Sequence, residues 1–208
     1  EVIFAIFPNL EFGKKVYHEM QEEAGSQGRD PASFRVAPLI YPIVGGTESE
    51  AQDKAALIES LEKPIDALAL LSEVLNFDFA TKQLNEPFSD EELANLSGLL
   101  AIRDRVVTLS RKRNPTVSDF IEFSARGTIK EAPNFIGTGS QIADGLEQWF
   151  REGACDGFVI GASHVPGAYE DFVNFVVPEL QRRGLFHADY AGPTLRENLG
   201  FTGYRVSG

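Results

Sequence analysis

Apolar residues follow two patterns along this chain: short continuous runs, and stripes at helical spacing. Continuous runs occupy residues 2–7 and 34–44, and a third run at residues 157–161 is bounded by glycine. Runs that are apolar on both faces are typical of parallel strands covered by helices on both sides. Between the runs, apolar residues recur three or four positions apart, as in amphipathic helices. The pattern therefore predicts an α/β fold with about three parallel strands and their helices.

The second predicted strand contains two prolines, Pro38 and Pro42. Proline has no backbone N–H to donate to a neighbouring strand. We therefore expect this strand to be bulged or partly unpaired at those positions.

The third predicted strand lies between two predicted helices. Thr138 and Gln141 have the spacing of a capping box, and Gly153 can end the helix that they begin. The second helix runs to about Gly184, and Pro178 should kink or restart it.

Residues 64–125 interrupt this alternation with several short helical stretches, which indicates a helical insertion between the last two predicted strands. Within it, the stretch at 76–88 mixes aromatic with polar residues and has no clean period. This loop could cover an apolar ligand, or its aromatic side chains could form a satellite cluster. Both interpretations stay open at the level of sequence.

Composition places the chain in the soluble globular class. It has 208 residues, 43% of them apolar, and a formal net charge of −12. That charge argues against a nucleic-acid partner, which requires clustered Lys and Arg to replace counterions. No apolar run reaches the roughly 20 residues of a membrane span. The single cysteine, Cys155, cannot form an internal disulfide, and no signal peptide is visible, so we expect a cytoplasmic protein.

Candidate chemistry lies where parallel α/β folds place it, at the carboxyl ends of strands. His164 directly follows the third strand and could act as an acid, a base or a ligand-binding donor, or could simply be a solvated loop residue. Residues 137–140 at a helix start could bind phosphate through their amides, although a plain cap is favoured. The three histidines and one cysteine have no metal-ligand spacing, so we expect no metal site, and the catalytic residues stay unknown.

Several segments together resemble one family, the flavin-dependent monooxygenases of the bacterial luciferase superfamily. The resemblance is closest to the branch of nitrilotriacetate, dibenzothiophene-sulfone and long-chain alkane monooxygenases. The segments that carry it are GTGSQIADGLEQWFREGACDGFVIG, PGAYEDFVNFVVPELQRRGLF, YAGPTLRENLGF, EVIFAIFPN and SQGRDPASFRVAPLIYPIVGGTESEA.

The resemblance implies a (β/α)8 TIM barrel that uses reduced FMN, supplied by a separate flavin reductase, and O2 to oxygenate a small organic substrate. The superfamily also includes deazaflavin enzymes, but this branch is similar to the FMN side. The three predicted strands resemble the sixth, seventh and eighth, and residues 76–98 would be a lid candidate. By position at strand ends, the resemblance implies four cofactor-binding residues, Phe7, Gly161, Ser163 and His164.

The family's first five strands and its main flavin contacts would lie before Glu1. We therefore expect residues 1–208 to be the C-terminal portion of such an enzyme, inactive alone and with little FMN affinity. Bare strand edges invite pairing, so a homo-oligomer is expected. The alternative is a non-catalytic barrel fragment that acts as an oligomerising structural module. A small nucleotide-binding domain is disfavoured, because no glycine-rich strand–helix turn is present.

Overall fold

Parallel strands and helices alternate in the computed structural model, which describes residues 1–201. The last residues of the predicted domain, 202–208, lie outside this description. The described residues fall into two compact units. The first unit contains Glu1–Ala55 and the described residues from Ala132 onward, and the second contains Ala56–Glu131.

The first unit holds a parallel sheet and its covering helices. Its strands are β1 (Val2–Ala5), β2 (Arg35–Val44), β3 (Asn134–Gly137) and β4 (Val159–Ile160). Its helices are α1 (Leu10–Ser26), the start of α2 (Glu48–Leu61), α7 (Gly139–Arg151), α8 (Gly167–Asp171), a π-helical turn (Phe172–Val176), α9 (Val177–Arg182) and α10 (Leu195–Asn198).

Strand β2 is the centre of the sheet and pairs with each of the other three strands. Its first part pairs with β1, residues 39–40 pair with β4, and residues 41–44 pair with β3. The N–H of Arg35 donates to Glu1, whereas the carbonyls of Val36 and Ile40 accept from the β4 segment. Since alternate residues of a strand direct their backbone groups to opposite edges, β4 lies on the edge of β2 opposite β1.

The two prolines explain why β4 is only two residues long. Pro38 and Pro42 share the even-numbered edge of β2 that faces β4, and neither has an N–H. Pairing with β4 is confined to Leu39 and Ile40, which lie between them. Both prolines are nevertheless in register with a neighbouring strand, Pro38 with Ala5 of β1 and Pro42 with Phe135 of β3, so β2 is unpaired at its prolines only towards β4.

Two expectations about the strands are wrong. The count of about three strands misses β3, which has four residues and lies between Pro133 and the cap of α7. The helical insertion consequently lies between β2 and β3, the second and third of the four strands in the described residues, and not between the last two. A four-residue strand shows no periodicity of its own, which is why the pattern did not reveal it.

The predicted irregularity at Pro178 is present. Pro178 cannot donate to the carbonyl one helical turn earlier. The chain forms a π-helical turn over Phe172–Val176 just before it, closed by the bond from Val177 N–H to Phe172 O. The helix then continues as α9, and Gly184 follows at φ 69°.

The helix-facing side of the sheet forms the core of this unit. Apolar residues of β1 and β2 pack there with α1, α7 and the π-helical turn. The fully or nearly buried members are Phe7, Phe34, Val36, Ile40, Val44, Ile142, Leu146, Trp149, Ala154, Cys155 and Val176.

The second unit is helical. It contains the rest of α2, α3 (Pro64–Leu75), α4 (Asp90–Asn95), α5 (Leu100–Ser110) and α6 (Val117–Ser124). The loop at 76–88 contributes Phe79 and Phe88 to its core, at 0% and 1% exposure, and both rings contact Phe120. The structure therefore favours the satellite-cluster interpretation of this aromatic loop.

Candidate active-site edge of the sheet

Parallel strands run in the same direction, so β1, β2 and β4 direct their carboxyl ends towards one edge of the sheet, although β1 ends beside Pro38 and β4 beside Ile40, before β2 ends at Val44. We call this the carboxyl edge: residues 6–9, 44–47 and 161–167. All the cofactor-binding residues expected from sequence lie in these segments.

The end of β2 is held by hydrogen bonds to its backbone groups. Lys54 Nζ donates to the carbonyl of Val44 at 2.9 Å, and Gly46 N–H donates to Glu50 Oε2 at 3.0 Å. Gly45 N–H donates to Gly137 O at 3.0 Å. A Cβ on Gly45 would lie 2.5 Å from the backbone nitrogen of Ala51, so only glycine fits against the start of α2. This turn is therefore pre-organised by the protein itself.

Lys54 is the cation of this network. Its Nζ lies 3.0 Å from Asp171 Oδ2 and 3.1 Å from Glu50 Oε1, and its side chain is 30% exposed. Burial alone would lower the pKa of Lys54, but the hydrogen bonds that it donates to Asp171 and Glu50 outweigh burial and raise the pKa. Lys54 therefore stays positively charged, and the carboxylates of Asp171 and Glu50 balance this charge.

The segment after β4 places Ser163 beside His164. The Ser163 Oγ lies 3.2 Å from His164 Nδ1, and both residues are half-buried. The imidazole lies over the start of α8, where a Cβ on Gly167 would come within 2.8 Å of Nε2. The Val165–Pro166 peptide bond is cis. This pair offers a hydroxyl and an imidazole next to each other at the carboxyl edge.

Gly161 makes room for Tyr41. A Cβ at position 161 would lie 2.4 Å from Tyr41 Cε1 and 3.1 Å from Leu39 Cδ1. The N–H of Gly161 donates to Ile40 O at 2.8 Å. The absence of a side chain at Gly161 thus has a packing cause within the sheet.

Phe7 differs from the other three expected site residues. Its side chain is 3% exposed and belongs to the helix-facing core, against Gly13 and Phe12 of α1. A ligand at the carboxyl edge would therefore meet the backbone of residue 7 and not its ring. The assignment of Phe7 as a cofactor contact stays a prediction.

The glycine-rich start of α7 is a helix cap. Thr138 Oγ1 accepts from Gln141 N–H, and the Gln141 side chain accepts from Thr138 N–H, which completes a capping box. Gln141 Nε2 also donates to Glu48 at 3.2 Å. A Cβ on Gly139 would lie 2.2 Å from Phe175 O, so this glycine serves helix packing. The plain-cap interpretation of residues 137–140 accounts for these contacts.

One face of the sheet is apolar and is exposed along β1. Val2, Phe4 and Ile6 are 48%, 57% and 45% exposed. The strand register and the alternation of side chains place the half-buried Leu39 and Tyr41 of β2 on this same face, together with the buried Ala37 and Ile43. We call Val2, Phe4, Ile6, Leu39 and Tyr41 the open face. Apolar surface of this kind on a sheet marks a place where another structural element belongs.

Sequence reasoning missed the residues that order the carboxyl edge. Lys54, Asp171 and Tyr41 were not identified, although Glu50 and Lys54 have the i, i+4 spacing of an ion pair. Asp171 lies 117 positions from Lys54 and gives no local signal. Within residues 1–201 no three His, Cys, Asp or Glu side chains are grouped as a metal site requires, and no helix there is long and apolar enough to cross a membrane.

Comparison with known proteins identifies the family. The chain is 36% identical over 201 residues to nitrilotriacetate monooxygenase component A of Aminobacter aminovorans, covering 96% of this chain and 44% of that protein. It is 34% identical to dibenzothiophene-sulfone monooxygenase of Rhodococcus erythropolis, over 96% of this chain and 44% of the relative. Along about 96% of its length, the chain is homologous to luciferase-like monooxygenases. The expected branch is therefore confirmed.

Solved structures agree with this family. The crystal structure of DmoA from Hyphomicrobium sulfonivorans superposes with a TM-score of 0.72 at 29% identity, over 96% of this chain and 41% of that one. The chain spans about half the length of the curated relatives that it matches. Its parallel strands and helices fit part of a TIM barrel. No family model matches the chain.

Proposed function

We propose that this chain is the C-terminal portion of a two-component, FMN-dependent monooxygenase that oxygenates a small organic substrate. The observation that carries the proposal is similarity to monooxygenases along 96% of this chain, together with coverage of only 44% of those proteins. A sheet with an open apolar face is what a portion of a barrel would present. The C-terminal position and the activity of the whole protein are parts of this proposal.

The carboxyl edge fits one wall of a flavin site. The half-buried pair of Ser163 and His164 offers polar atoms to an isoalloxazine edge, and Tyr41 and Leu39 offer an apolar surface beside it. Lys54 is matched by Asp171 and Glu50, so it offers little to a phosphate. The phosphate would therefore be held by residues outside this chain, in keeping with the weak FMN affinity expected of the chain alone.

When bound, reduced FMN supplies the activation of O2. The residues of this chain would act by position. Lys54 and Asp171 would hold the end of β2 in place, Ser163 and His164 would orient a polar group of flavin or substrate, and the open face would exclude water once covered. His164 could also hold a proton close to the reacting centre.

Partners follow from the same proposal. The relative from Aminobacter aminovorans is named component A. By analogy, we propose that a separate flavin reductase supplies reduced FMN here. The protein would be cytoplasmic, where reduced flavin and a single free thiol are compatible.

Complementation in trans tests the proposal. The chain is co-expressed with the amino-terminal part of nitrilotriacetate monooxygenase component A, and FMN binding is followed by quenching of flavin fluorescence. Substrate oxidation is then measured with reduced FMN and O2. We expect binding and turnover only when both parts are present. Turnover by the 208 residues alone, or no flavin binding by the assembled pair, would refute the proposal.

A non-catalytic, oligomerising module is the second candidate. The half-exposed side chains of Val2, Phe4 and Ile6 favour it, since a second copy could cover them. Light scattering distinguishes the two candidates. A dimer or larger assembly that binds no flavin with the amino-terminal part supports this module, whereas a 22.9 kDa monomer argues against it.

A further inference from the structure

The loop at 76–88 has a buried phenylalanine on each side of its exposed residues 83–87. Phe79 and Phe88 are buried in the core of the second unit, with ring centroids 5.5 Å apart. Phe88 N–H also donates to Pro115 O at 2.9 Å. Between these anchors, residues 83–87 are exposed, and apart from the contacts of Lys82 they are held by Ser118, whose N–H and Oγ donate to Leu84 O at 2.8 and 3.0 Å, and by a bridge between Pro87 and Thr116.

Lys82 lies between the two anchors. Although it belongs to an exposed loop, its side chain is only 6% exposed. Its Nζ lies 2.8 Å from Glu86 Oε1 and 2.7 Å from Glu92 Oε1, and 5.1 Å from the centroid of the Phe88 ring. One ammonium group thus joins the middle of the loop to helix α4.

The two carboxylates are themselves tied to the backbone. The second oxygen of Glu86 accepts from Gln83 N–H at 3.1 Å, and that of Glu92 accepts from Ser89 N–H at 2.7 Å. The hydrogen bonds that Lys82 donates to Glu86 and then to Glu92 raise its pKa, so its charge persists. Each carboxylate therefore accepts a hydrogen bond from a backbone N–H with one oxygen and from the Lys82 ammonium with the other.

We propose that Lys82 is a charge latch that holds residues 83–87 against helix α4. Without its ammonium, Glu86 and Glu92 would face each other as like charges with no counter-ion between them, and the exposed segment would open. A charge-assisted hydrogen bond is about twice as strong as a neutral one, so two of them oppose local opening. The latch concerns only the second unit and does not depend on the proposed flavin chemistry.

The contacts of Lys82 therefore restrict movement of the loop at 76–88 as a lid. Residues 76–98 were expected to be a lid candidate, and such a lid would have to break both contacts of Lys82 before its middle part could move. The latch therefore lowers how often the segment opens, in addition to the contacts of Leu84 with Ser118. Any ligand that needs the segment to move would bind at a rate limited by this opening.

Hydrogen exchange followed by mass spectrometry on the full chain tests the latch. We expect Lys82→Met to accelerate exchange in peptides covering 83–87 by about tenfold or more, while peptides of α3 and α5 keep their rates. Lys15→Met is the matched control, because Lys15 is 72% exposed and lies 3.7 Å from Glu19 in a surface pair. That variant should leave exchange at 83–87 unchanged.

A milder variant keeps the test valid if Lys82→Met does not fold. Glu86→Gln removes the charge of one partner and leaves Glu92 in place, and a smaller acceleration confined to 83–87 is expected. Unchanged exchange at 83–87 in both variants would overturn the latch. So would equal acceleration throughout α3, α5 and α6, because Lys82 would then support the whole unit and not the segment.

Discussion

Gly161 shows how closely single residues are constrained at the carboxyl edge. The ring of Tyr41 occupies the space that any side chain at 161 would need, with Cε1 2.4 Å from the position of a Cβ. Gly161 N–H donates to Ile40 O and Tyr41 N–H donates to Pro133 O, so neither residue can move far without loss of a backbone hydrogen bond. Glycine is therefore required here by packing, whatever ligand the edge binds.

Gly161→Ala should destabilise the chain by about 1–3 kcal/mol, because the added methyl group overpacks the contact with Tyr41. The free energy of unfolding is measured by chemical denaturation. Gly157→Ala is the control, since a Cβ at 157 meets nothing within 4 Å and the backbone there is not left-handed. Equal stability of the two variants would show that Tyr41 yields without cost.

Cys155 provides a probe of the first unit. It is the only cysteine of the chain and is 2% exposed, and burial raises the pKa of its thiol to about 12. We expect the folded chain to resist a thiol reagent at pH 8, where the buried thiol stays protonated, and the unfolded chain to react at once. Rapid labelling of the folded chain would contradict this burial.

Local signals at the residue scale could be read from the sequence. Thr138 with Gln141 was recognised as a capping box because its partners are three positions apart. The contacts of Lys54 with Asp171 and of Lys82 with Glu92 could not be predicted. In each pair the fold brings the carboxylate close to the lysine, and the sequence around the lysine does not indicate which carboxylate that is.

At the scale of elements, one arginine joins α7 to α9. Arg183 reaches Asp144 at 2.7 Å, Glu147 at 3.0 Å and Glu179 at 2.8 Å, and its side chain is 15% exposed. Its guanidinium also donates to Ser140 at the start of α7. The planar guanidinium group of arginine can donate to several carboxylates in fixed directions, which the single ammonium group of lysine cannot do.

Arg183→Met should lower the free energy of unfolding by about 2 kcal/mol, because three carboxylates lose their shared partner in a partly buried setting. Arg151→Met is the matched control. Arg151 also pairs with Glu147, at 2.6 Å, but is 63% exposed, so its loss should change stability by less than about 1 kcal/mol. Equal effects of the two substitutions would show that the link between α7 and α9 lies elsewhere.

The same site predicts a pH dependence. Hydrogen bonds from Arg182 and then from Arg183 lower the pKa of Glu179 to about 2. A carboxyl with a lowered pKa contributes stability above its unfolded pKa, about 4.3, and loses it as the pH falls towards 2. The stability difference between wild type and Arg183→Met should therefore narrow below about pH 4. A constant difference down to pH 2 would contradict this assignment.

Long elements were predictable from sequence and the shortest were not. The residues of α1, α7 and β2 carry a full period or a sustained apolar run, and their limits agree with expectation within a few residues. Strand β3 was missed because four residues between a proline and a helix cap have no pattern. Its existence depends on pairing with Tyr41–Val44, far away in the sequence.

At the scale of the whole molecule, the chain consists of two units with separate cores. The single tryptophan, Trp149, lies in the core of the first unit, whereas the second unit is helical throughout its ordered elements. Family and fold class could be read from the sequence because matching segments extend along nearly the whole chain. The boundaries of the second unit could not, because it begins within a continuous helix, α2.

The measured midpoint of unfolding should therefore differ between spectroscopic probes that report different units. We expect the denaturation curve from Trp149 fluorescence, which reports the first unit, to differ in midpoint from that of far-ultraviolet circular dichroism, which also reports the second. Phe120→Ala, in the second core, should shift only the circular dichroism curve. Superimposable curves in wild type and variant would indicate one cooperative unit.

Pro38 and Pro42 have a last consequence. By bracketing the only two residues of β2 that pair with β4, they determine where the strand gives way to the segment carrying Ser163 and His164. The two prolines thus limit the β2–β4 pairing at both ends, and so they determine where the loop after β4 begins. Homologous chains that shift either proline by two positions would shift the origin of that loop by the same step, and with it the reach of every side chain that the loop displays.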